Sequence, residues 1–196
     1  MKYTRDNAMS ALILGFFASA WFSWAQAEPP TGWQPALNVG SIISLVVAVL
    51  GALLAWRSWQ DGSALNAPGE LRRYGIIVGI EFAVAAIGSV IATLTNPELV
   101  APWVCLVVGV HMWPLASVFE APALRVLAGV LVAVAVLAVL VAWRSDVAAS
   151  AVTGAGAGVA LLVFAGWSAG LAARRSGRVS SGNRSVRRRT ASRPER

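Results

Sequence analysis

Two side chains in this sequence could do chemistry inside a membrane. Glu81 lies in the run GIIVGIEFAVAAIGSVIATL, and His111 lies in LVAPWVCLVVGVHMWPLASVF. Only the short polar break Thr95–Glu98 separates the two runs. Each is long enough to cross a bilayer as a helix, which takes roughly 20 residues. An ionisable group in hydrocarbon is costly, and it marks a candidate site unless a partner accounts for it. A carboxylate and an imidazole can be each other's partner, as a hydrogen bond or as an ion pair. Pro114 follows three residues after His111. It lacks the amide hydrogen that would bond the Val110 carbonyl, so it is a candidate helix kink beside the histidine.

Other chemistries lack their residues. His111 is the only histidine, and no HExxH or comparable ligand cluster accompanies it. No GxSxG elbow, phosphate-binding loop or dinucleotide fingerprint occurs in a suitable context. The expectation is therefore no metal, no cofactor and no enzymatic activity. The single cysteine, Cys105, excludes an intrachain disulfide and reads as a small packing residue in an apolar run.

The elements that must position Glu81 and His111 follow from composition. The chain has 196 residues, of which 57% are hydrophobic and 13% charged. Soluble domains carry about 25% charged residues. The apolar residues fall in long blocks, so the fold class expected is all-α, a polytopic bundle of six transmembrane helices. Spans are expected near 8–25, 36–56, 74–94, 99–119, 124–143 and 147–172, making residues 1–173 one transmembrane domain. Ala25-Gln26-Ala27 after a basic start and an apolar middle also resembles a signal-peptidase site. Cleavage there would leave five spans. An uncleaved first helix is the preferred reading, because its apolar run exceeds a signal core and carries Trp21 and Trp24 at its far end.

Residues 174–196 hold nine arginines and almost nothing apolar, and read as a disordered cytoplasmic tail. Its expected partner is anionic lipid headgroups. Specific nucleic-acid binding is not expected, because no aromatic side chain interleaves the charges. With six spans, Lys and Arg divide 15 to 1 between the two sides. The positive-inside rule then puts both termini in the cytoplasm. Trp21, Trp24, Trp33, Trp103 and Trp143 fall near the outer boundary, and Trp56, Trp59 and Trp167 near the inner one.

On this map Glu81 lies about 10 Å along its helix from the inner boundary, and His111 about 13 Å, at 1.5 Å per residue. Matched depth on adjacent antiparallel spans allows the two to meet. Small residues should let helices approach: Gly75 and Gly79, Gly154 and Gly158, and Gly166 and Gly170 each form a GxxxG. On the third span Glu81, Ala85, Gly88, Ala92 and Thr95 share a face, so the acid sits within a packing surface. Packing inside the bundle is the preferred use of these patterns over dimerisation; the sequence leaves the oligomeric state open.

GFFASAWFSWAQAEPP, GIEFAVAAIGSVIATL and APWVCLVVGVHMWPLASVFEAP together resemble a group of small six-span integral membrane proteins of high-GC Gram-positive bacteria. An acid in the third span and a GVHxxPLAxxF-like stretch in the fourth carry the resemblance. It implies a six-helix protein of the bacterial cytoplasmic membrane and supplies no activity. The function expected is that of an integral membrane protein, structural or accessory, in which a buried Glu81–His111 pair sets helix packing. The alternative is a small proton- or solute-coupled transporter or channel that uses the same two residues.

Overall fold

A computed structural model describes residues 1–191, with side chains to Ser176. The helices are α1 (Thr4–Ala25), α2 (Gln34–Arg57), α3 (Glu70–Thr95), α4 (Val100–Val118), α5 (Ala123–Arg144) and α6 (Ala149–Ala191). Single 3-10 turns at Ala64–Asn66 and Pro97–Leu99 lead into α3 and α4. Among the described residues, six helices are long and apolar enough to cross a membrane, so the all-α architecture is the one the hydropathy blocks require. The helices start or stop within a few residues of the expected spans. Apart from the end of α6, the largest shifts are at the starts of α1 and α3, which take in the polar residues Thr4–Asn7 and Glu70–Arg73. Gly69 allows the second shift, because its φ of 83° turns the chain sharply into α3.

The tail expectation concerns 174–196. The helix α6 runs through Arg174–Ser176 without a break and is continuous to Ala191. Alanine and arginine are good helix formers, and a packed helix propagates without renewed nucleation. The side chains of 177–191 and all of 192–196 lie outside the described residues, and with them most of the charged tail.

The packing is uneven. Helix α1 lies between α2 and α6, which are its two most extensive partners. Its small residues Ala8, Ala11, Ala18 and Ala25 are fully buried. Helices α4, α5 and α6 complete the core, which centres on Leu127, Leu131 and Leu161. Helix α3 stands at the edge. Among the described residues its only extensive helix partner is α4, and Ala92 is its one buried residue.

One end of the bundle gathers the N-terminus, the α2–α3 loop, the α4–α5 turn and the end of the α6 span. Asp6 is buried and accepts the Ala64 amide at 2.9 Å. Its place in the first turn of α1 suits the partial positive charge of a helix N-terminus. Asn7 Nδ2 donates to the Tyr3 carbonyl at 2.8 Å, and the Arg5 guanidinium lies 4.1 Å from the Trp59 ring centroid. Arg175 donates to the carbonyls of Met1 and Lys2 at 2.9 and 2.7 Å. Burial, and then Arg175, push the Met1 ammonium below its ordinary value of 8.0, against the opposing pull of Asp6 and Glu120.

Helix α4 ends in a Schellman turn. The Ala121 amide donates to the Ala116 carbonyl at 2.9 Å, and the Glu120 amide reaches Ser117 at 3.4 Å. This puts Glu120 at φ 47°, a left-handed conformation that costs a residue with a Cβ roughly 1–2 kcal/mol. Glu120→Gly should therefore raise stability by about 1 kcal/mol, read from thermal unfolding in neutral detergent. A lower melting temperature in that variant would mean that the carboxylate itself holds the turn.

Candidate functional site: a Glu–His pair between two helices

Helices α3 and α4 run antiparallel on either side of the turn at Pro97–Leu99, so residues equally far from the turn face each other. The structure brings Glu81 and His111 together: His111 Nδ1 lies 2.8 Å from Glu81 Oε2. The two side chains are only 13% and 9% exposed, on a helix that is otherwise largely uncovered. The distance suits a hydrogen bond, but the ring-plane hydrogen on Nδ1 does not line up with the carboxylate. Nδ1 is thus a buried polar atom without an aligned partner. The contact is a close approach of two polar groups rather than a linear hydrogen bond.

The rest of the α3–α4 contact is made by Trp103. Its indole packs across Gly88, where any Cβ would collide with the ring. Its Nε1 reaches the Val84 carbonyl at 3.4 Å. Gly88 is needed for that ring, one turn or more away from the acid on the same face. Nearer the other end Tyr74 meets Phe119 edge to face, with centroids 6.0 Å apart. Between these aromatic contacts lies a cavity of about 410 Å³, walled by Ile77, Ile80, Val107 and Val110 with Trp103, and bearing Glu81, His111 and Pro114. Helix α4 is continuous through Pro114, and the proline ring forms part of this wall.

The packing glycines divide. A Cβ on Gly154 would lie 2.6 Å from the Trp21 carbonyl oxygen, and one on Gly158 would lie 3.0 Å from the Phe22 ring. Both stand where α6 crosses α1. Gly75, Gly79, Gly166 and Gly170 do not pack: each has open space where a Cβ would go. Spacing shows which residues share a face, but not whether a helix stands opposite. The closest backbone-to-backbone crossing, that of α1 and α2, uses glycines outside any GxxxG. A Cβ on Gly15 would lie 2.8 Å from the Ala48 amide nitrogen, and one on Gly51 would run into the Leu12 backbone. Each is a single glycine, and only the pairing of α1 with α2 could have pointed to them. Two further sequence readings change. Trp21 is a core residue, 5% exposed and stacked on Trp24. Trp103 serves the contact between α3 and α4.

The fold and this site define a class: an all-helical, multi-pass membrane protein with one buried acid–imidazole contact at its edge. No protein-family model, no curated protein and no solved structure matches the chain.

Proposed function

We propose that the protein is a structural or accessory component of its membrane, and that the Glu81–His111 pair holds α3 on α4. The observation that carries this reading is the 2.8 Å approach of two nearly buried polar groups on a helix with one extensive partner. In lipid, apolar side chains gain little by leaving the bilayer for a neighbouring helix. Polar contacts and close packing must then do the joining. The cavity beside the pair is walled by aliphatic side chains, which favours a joining role over a polar path for protons or solutes.

The same proposal includes a bacterial cytoplasmic membrane and cytoplasmic termini. It is supported by the 15-to-1 division of basic residues and by the gathering of the N-terminus, the Asp61 loop and Arg175 at one end. The arginines after Arg174 would then meet anionic headgroups, at about 1 kcal/mol each near the surface.

A double-mutant cycle tests the joining role. Glu81→Gln and His111→Ala should each lower the unfolding free energy in detergent, and the double variant should lose less than the sum. The coupling expected is about 0.6 kcal/mol and at most about 1.7 kcal/mol. Additive single effects would end the proposal. Glu81→Leu with His111→Leu separates the rival reading: a proton- or solute-coupled transporter would remain folded and lose its cellular phenotype. A joining pair would tolerate the exchange.

A further inference from the structure

We infer that the groove between α3 and α4 seats one anionic phospholipid, with its phosphate on Arg72 and Arg73 and an acyl chain along the aliphatic walls. Helical spacing builds the groove: Gly69, Arg72, Arg73, Ile76, Ile77 and Ile80 follow the i, i+3, i+4, i+7 pattern and share one face of α3. Two hollows run together on that face. The first, of about 440 Å³, bears Gly69, Arg72 and Arg73. The second is the aliphatic cavity of about 410 Å³, and the two meet at Ile77 and Pro114. The groove is therefore basic at one end and apolar beyond it, the same order as a phospholipid. Glu81 and His111 turn toward each other at 2.8 Å, so the second hollow offers a chain hydrocarbon and little else. Its wall residues Ile80 and Val110 are each 59% exposed, which leaves a chain free to enter sideways from the bilayer. Lengths agree as well. From Arg72 to Val84, where the Trp103 indole crosses to α3, the helix rises about 18 Å. One leaflet of hydrocarbon is about 15 Å thick.

Charge chooses the headgroup. Among the described residues Arg72 forms no ion pair, and Arg73 has only Glu70, at 3.6 Å. Guanidinium groups match phosphate oxygens with paired N–H donors. No side chain caps the N-terminus of α3 beside them, so its free amides add positive potential at the same place. Glu70 offsets part of this charge but stands outside the walls of the hollow. A headgroup of net negative charge gains from the remainder, whereas a choline headgroup returns a cation to it. The seat uses neither Glu81 nor His111, so it and the joining role can fail separately. It is also distinct from the arginines after Arg174.

Lipid photolabelling tests the inference. Delipidated full-length protein in neutral detergent is titrated with phosphatidylglycerol carrying a diazirine midway along one acyl chain, irradiated, and its adducts are mapped by mass spectrometry. Saturable adducts on α3 and α4 around Ile77, Ile80 and Val110 are expected. Unlabelled phosphatidylglycerol should displace them at concentrations where phosphatidylcholine with the same chains does not. Arg72→Gln should weaken the labelling roughly fivefold, the effect of one basic residue near an anionic surface. Adding Arg73→Gln should bring it down to the level of a phosphatidylcholine probe. Both arginines are exposed and glutamine is a good helix former, so these variants should keep the melting temperature of the lipid-free protein. Val110→Phe fills the apolar hollow without touching the arginines, and it should abolish the same adducts. Arg57→Gln, exposed at the same end but outside the groove, should leave them unchanged, which separates a seat from general attraction to basic residues. Equal displacement by phosphatidylcholine or by decanol, an equal loss with Arg57→Gln, or adducts spread evenly over all helices would each overturn the inference.

Discussion

Gly51→Leu should destabilise the bundle by about 3 kcal/mol or more, beyond the usual range for overpacking a core. A Cβ on Gly51 has no room: it would meet the Leu12 backbone and lie 2.8 Å from the Ala11 carbonyl carbon. The obstacle is main chain, which cannot swing aside as a side-chain tip would. On the other side of the same crossing, Gly15 lies against Ser44 and Ala48. Helices α1 and α2 therefore touch backbone to backbone over two turns. Any side chain at Gly51 must push α1 away from α2 and carry the α6 contact with it. Gly51→Ala should cost about 1–3 kcal/mol by the same argument. Gly75→Ala and Gly166→Ala provide the contrast. Both positions are open, so each should be neutral or gain up to about 1 kcal/mol from better helix propensity. Denaturant unfolding in neutral detergent would compare them. A Gly51→Leu protein that unfolds with the wild type would refute the close crossing.

The second large effect concerns the first helix. The purified protein should retain residues 1–27, and an intact mass measurement would show it. A cleaved signal peptide leaves its protein, yet α1 is built into the centre of this one, with Leu14, Ala18 and Trp21 in the main core. A protease site placed in the Pro29–Pro30 loop gives a sharper trial. After cutting, α1 should stay with the other five helices through size-exclusion chromatography in mild detergent. Packing against both α2 and α6 would hold it without the covalent link. Should the small fragment elute alone from an otherwise intact bundle, α1 would be a leader and not a structural member.

How far these features could be read from the sequence depended on the physics behind each. Six helices were legible because a bilayer forces the backbone to satisfy itself, so length and apolarity suffice. The meeting of Glu81 and His111 was open to the same reading, since a short turn sets two neighbouring helices in register. The position of α3 was not legible. Its lipid-facing residues Ile80, Phe82 and Ile87 are as apolar as any core, so nothing in the pattern says which face has a neighbour. Trp21 misleads for a related reason: an indole near a helix end suits the membrane surface and the core equally well. Asp6 and Asn7 escaped attention because they precede the apolar run, although both are buried and tie down the N-terminus. Gly15 and Gly51 carry no repeat, and their role exists only once α1 and α2 are crossed.

The central place of α1 has a consequence for how the protein is made. Its most extensive partner, α6, leaves the ribosome later than every other described helix. At roughly 5–20 residues per second, the interval between them is on the order of ten seconds. During that time α1 and α2 can close their glycine crossing, but the opposite side of α1 has only lipid to face. Its residues suit that wait: the positions that later meet α6 include Trp21, Phe22 and Ala25, which hydrocarbon accepts as readily as Gly154 and Gly158 do. The buried charge on α1, Asp6, lies at its very start, within reach of headgroups and water until the Ala64 amide arrives. Helix α1 is thus equipped to be a lipid-exposed intermediate first and a buried core helix afterwards.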